Sequence, residues 1–145
     1  MDVKHNRVFF GMDKCLAKDG TVVLLEGPLD KFLAKAPDFE LKFLKSDLKP
    51  ATDANTNTQY QLNDLAYVPD KGLVLLFSAE TNESKQFGYN QVWFMRGGFG
   101  PAKLVLKDIA PGNRGAGIAV RNGAAKDEYE AVIVCDNNME DSKIP

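Results

Sequence analysis

The feature that most restricts this chain is its punctuation. Short β-type runs follow one another from end to end, and clusters of Gly, Pro, Asn and Asp interrupt them. Val8-Phe9-Phe10 opens the series, and Thr21–Leu25 is β-branched and apolar. Phe39-Glu40-Leu41-Lys42-Phe43 alternates strictly, as a half-buried strand does. Tyr67-Val68, Leu73–Phe77, Gln91–Met95, Lys103–Leu106, Ile118–Val120 and Tyr129–Cys135 continue it. No gap carries a helix long enough for a parallel crossover, so the strands are expected to pair antiparallel. The expectation is one mainly β domain over residues 1–145, a sandwich or barrel of about 8–10 short strands.

One short helix is expected over Pro28–Ala36. Leu29, Phe32, Leu33 and Ala36 fall on one helical face, Pro28 suits the first position, and Pro37 ends it. Such a piece is too short to stand alone and should cap an end or edge of the sheet. Pro50–Gln59 is polar, small and without periodicity, which reads as an exposed loop or arm.

A weak internal echo runs through the chain. Lys18-Asp19-Gly20 leads into Thr21–Leu25, and Asp70-Lys71-Gly72 leads into Leu73–Phe77, an offset of 52 residues. Phe39–Leu44 and Gln91–Arg96 echo each other at nearly the same offset, and Arg121-Asn122-Gly123 supplies a third turn. A period of this size suits blade-type propeller repeats. Since too few units fit for a closed propeller, the alternative to a sandwich is blade-like repeats completed by oligomerisation.

Composition is that of an ordinary globular domain, with 44% hydrophobic and 26% charged residues. The formal net charge of −2 gives no field that would draw in duplex nucleic acid. The longest clean apolar runs, Leu73–Phe77 and Ala131–Cys135, fall far short of the roughly 20 residues of a membrane span. After Met1–Arg7 the apolar run Val8-Phe9-Phe10 stops at Gly11-Met12-Asp13, well short of the roughly 7–15 residues of a signal-peptide core, so no signal peptide is expected and the compartment stays open. The two cysteines, Cys15 and Cys135, are either packed thiols or a bridge across nearly the whole chain.

Catalytic constellations are sparse. The single histidine, His5, sits in a polar N-terminal stretch where a solvated end is the default. Gly112-Asn113-Arg114-Gly115-Ala116-Gly117 lacks the Lys-Ser/Thr of a phosphate loop and reads as a flexible connection. Asp136, Asn138, Glu140 and Asp141 form a weak candidate for a hard cation, without the spacing of an EF-hand. Glu80 with Glu83, and Asp127 with Glu128 and Glu130, read as solvated carboxylates rather than a glycosidase pair. Asn82-Glu83-Ser84 matches the glycosylation pattern but reads as a polar loop. No cofactor and no enzymatic activity are expected.

The most informative cluster is aromatic. Phe87, Tyr89, Trp93, Phe94 and Phe99 crowd into one stretch with Arg96 and several glycines. On one strand, Phe87, Tyr89, Trp93 and Met95 share a face, while Phe94 and Arg96 share the other. One face is expected to be core. Tyr89, Trp93, Phe99 and Arg96 are the candidate ligand-binding residues. The functional expectation is a non-catalytic interaction or assembly subunit, such as a decoration, fibre or adaptor component of a virion or surface assembly. It would bind protein partners or its own copies through exposed strand edges. The alternative is a carbohydrate-binding module with an aromatic platform.

Overall fold

A computed structural model describes residues 1–44, 46–52, 58–80, 87–97, 101–109, 113–125 and 128–136. The expectation of a mainly β, antiparallel chain with one short helix holds. Among the described residues, nine strands form three sheets, which stack in layers and do not close into a barrel. The first sheet contains β1 (Arg7–Leu16), β2 (Val22–Pro28) and β3 (Lys42–Leu44), in that order. The second is a meander of β4 (Gln61–Val68), β5 (Gly72–Glu80), β6 (Phe87–Arg96) and β7 (Ala102–Ile109). A hairpin of β8 (Arg114–Asn122) and β9 (Tyr129–Asp136) makes the third.

Strand β5 explains the layering. An alternating strand wets one face, but Leu73–Phe77 is apolar without interruption, the pattern of a strand covered on both sides. Leu73, Leu75 and Phe77 enter a core shared with Phe9, Val22, Leu24 and Leu44 of the first sheet. Val74 and Leu76 point the opposite way, into a second core with Val92 and Ile118. The middle sheet is therefore packed between the other two.

The echo at 52 residues has a physical counterpart. The first strand of each unit packs against the first strand of the next, β1 on β4 and β4 on β8. Gly115 stands 52 residues after Asn63, whose amide Nδ2 donates to its carbonyl. Gly11 stands as far before Asn63. Both glycines permit a close approach that a side chain would block. A Cβ at Gly11 would lie 2.4 Å from Leu62 Cδ2, and one at Gly115 would lie 3.0 Å from both Leu76 and Asn90. The turns into the second strands also correspond, with Gly20 at φ +84° and Gly72 at φ +149°.

Three readings need correction. The helix spans Leu29–Leu33 rather than Pro28–Ala36. Lys35 turns left-handed at φ 51°, while Lys35 N–H bonds the Phe32 carbonyl and Ala36 N–H that of Lys31, closing the helix a turn early. The helix caps the outer face of the first sheet, with Phe32 edge-on to Phe10 at 5.5 Å. The glycine stretch at 112–117 is no simple connection, because Arg114 to Gly117 already belong to β8. There the missing side chain lets the strand settle onto Leu76.

His5, finally, is not a loose end. Its Nδ1 lies 2.9 Å from the Asp2 carboxylate, which Arg7 also engages at 2.8 Å. Asp2 is only 2% exposed. Burial would push its carboxyl pKa up, but hydrogen bonds from Arg7, Tyr67 and His5 outweigh this and hold it well below the carboxylate range. Tyr67 belongs to β4 and stacks on Phe9 at 5.5 Å, so this buried ion cluster ties the N-terminus to the middle sheet.

Of the polar loop at 50–59, the described ends are drawn together. Thr52 bridges Gln59, and Tyr60 N–H donates to the Ala51 carbonyl at 2.9 Å. Among the described residues, no helix is long and apolar enough to cross a membrane.

Candidate functional site

The hairpin β8–β9 covers the middle sheet mainly over β4 and β5, because its anchors lie there. Asp64 Oδ2 accepts the Ile118 amide at 2.8 Å, and Ser78 Oγ donates to the Gly115 carbonyl at 3.2 Å. From β6, Asn90 accepts the Gly115 amide at 2.8 Å and donates to the Ile109 and Asn113 carbonyls at 3.0 and 2.9 Å. Four polar side chains, Asn63, Asp64, Ser78 and Asn90, thus satisfy the backbone where the third layer begins.

Beyond those anchors the same face of β6 and β7 is left open. A cleft of about 840 Å³ lies there, floored by Val74, Val92 and Phe94 and walled by Val120, Tyr129 and Ala131 of the hairpin. Val105 and Leu106 complete the apolar lining on β7 and remain 54% and 45% exposed. Arg96, Lys103, Lys71 and Asp70 also line it. The cations gather at one end, because Gly72 pairs with Arg96, Phe94 pairs with Lys103, and Lys71 directly precedes Gly72. Asp70 is held by Lys4, whose Nζ reaches both carboxylate oxygens at 2.9 and 3.0 Å.

The candidate ligand-binding residues separate. Arg96 is exposed and lines the cleft. Trp93 is half-buried on the opposite face, packed against the first core, and its indole N–H donates to Gln91 Oε1 at 3.0 Å. Tyr89 is half-buried in β6. Phe99 lies outside the described residues. Within this strand the expected division of faces holds for Met95 in the first core with Trp93 packed against it, and for Phe94 packed against the second.

Asn138, Glu140 and Asp141 lie outside the described residues, as do Glu83 and Asp127, and Asp136 ends β9. Among the described residues no group of three metal-ligating side chains gathers. Glu130 pairs with Arg121, and Glu128 Oε2 accepts the Ala125 amide at 2.9 Å. Cys135 is a half-buried free thiol. Sequence reasoning missed the cleft because its walls come from strands far apart in the chain. The signal was present only as Lys71, Arg96 and Lys103, cations near strand ends whose alignment depends on register.

No family model matches this chain, and neither the curated proteins nor the solved structures searched contain a match.

Proposed function

We propose that the protein is a non-catalytic assembly subunit, a structural component of a larger particle whose sheet stack is continued by further copies of the same chain. The observation that carries this reading is the exposure of large apolar side chains at both ends of the stack. On β9, Val132 and Val134 point outward at 60% and 63% exposure, and on β3 Phe43 is 80% exposed. In the middle of the stack the same residue types are buried against a neighbouring sheet, so the outer face of the hairpin, and the part of β3 that the short helix leaves uncovered, have the chemistry of an unfinished layer.

The two ends are different surfaces, which makes the contact head-to-tail. Such contacts close into rings or run on as filaments. This is the form that blade-like repeats completed by oligomerisation take. A double variant, Val132→Lys with Val134→Lys, tests it by size-exclusion chromatography. The variant is expected to elute as a smaller species while melting like the parent, because both side chains are already outside the core. Unchanged elution would count against the reading.

A further inference from the structure

We propose that the cleft between β6–β7 and the β8–β9 hairpin binds a single-chain amphiphile with an anionic head group, a carboxylate or a phosphate monoester. The cleft's volume, about 840 Å³, is that of sites for small organic ligands. Its floor of Val74, Val92 and Phe94 offers an alkyl chain the apolar contact it lacks in water. The charge is not spread evenly along it. Register brings Arg96 and Lys103 to one end as diagonal neighbours on the same face, since Lys103 pairs with Phe94 two residues before Arg96. Asp70 is the one carboxylate in the described lining, and Lys4 already neutralises it. The end is therefore net positive, and the Arg96 guanidinium has the fork that matches a carboxylate or phosphate.

A peptide strand added to the open edge of β7 is the competing occupant, and the edge is badly shaped for it. Its pairing with β6 shifts register on either side of Val92, Asp108 turns to φ 55°, and Lys103 and Lys107 project from it. Irregular, lysine-bearing edges resist strand addition. A flexible chain with a charged head needs no regular edge.

The test is a titration of methyl-labelled protein, followed by NMR, with decanoate, decyl phosphate, decanol and decyltrimethylammonium. Either anion should shift the methyl signals of Val74, Val92, Val105 and Leu106 and leave those of Leu24 and Leu73 in place. Arg96→Gln combined with Lys103→Gln should weaken anion binding by about tenfold or more and leave decanol binding unchanged. Both side chains are exposed, so an unchanged melting temperature verifies the fold. The proposal is overturned if neither anion binds, if decanol or the cationic amphiphile binds as tightly, or if the shifts fall elsewhere. These substitutions leave the outward valines of β9 untouched, so this result is independent of the assembly reading.

Discussion

Asn90, completely buried in β6, accepts the Gly115 amide at 2.8 Å and thereby fixes where the third layer lands on the second. Its carboxamide also donates to two backbone carbonyls, Ile109 and Asn113, so the group is satisfied on both sides. Replacing it with alanine would strand a buried amide and two carbonyls. Asn90→Ala is expected to destabilise the fold by about 2–4 kcal/mol, read from urea unfolding. The accompanying change should be early hydrogen exchange across β8 and β9 while β2 stays protected.

Gly72 and Gly20 separate two kinds of glycine requirement. At Gly72 a Cβ would fall 1.9 Å from the Met95 carbonyl oxygen, with φ at +149°. At Gly20, φ is +84° but nothing lies within 4 Å. Gly72→Ala should therefore cost about 3 kcal/mol or more, and Gly20→Ala only about 1 kcal/mol. Equal losses in denaturant melts would contradict the steric account.

Acid sensitivity follows from Asp2. Because the folded carboxyl ionises well below the unfolded one, its contribution is fully present above the unfolded value of about 4. It is lost as pH falls from there through the folded value. Asp2→Asn should cost about 2–3 kcal/mol at neutral pH, since Arg7 loses its buried partner. The variant's stability should then fall less steeply than the parent's between about pH 4 and pH 2.

Much of this architecture could be read along the chain because strands announce themselves locally. Period-two patterns and Gly/Asp turns gave the antiparallel class, and Leu73–Phe77 stood out as a run before its neighbours were known. What stayed hidden depends on which strand meets which. Asn90 looks like any polar residue until Gly115 lies against it, and the glycines near Arg114 look like a linker until a neighbouring sheet explains them. The clustering of Arg96 with Lys103 is likewise a product of register. His5 reads as a solvated end along the chain because its partner, Asp2, gains its meaning only from Arg7 and Tyr67.

Leu76 offers a check on the layered packing itself. It is wholly buried in the second core, beneath Gly115. Leu76→Ala should cost about 2–5 kcal/mol through lost contacts and a cavity, measured by thermal or chemical unfolding. A loss below about 1 kcal/mol would mean that the hairpin does not seal this face.

If the exposed apolar residues at the ends of the sheet stack join copies of the chain, the protein should assemble in solution. Sedimentation velocity of the unaltered chain over a wide concentration range tests that directly. A discrete multimer, or a series growing with concentration, is the predicted result. A single monomeric boundary persisting at the highest concentration would contradict it.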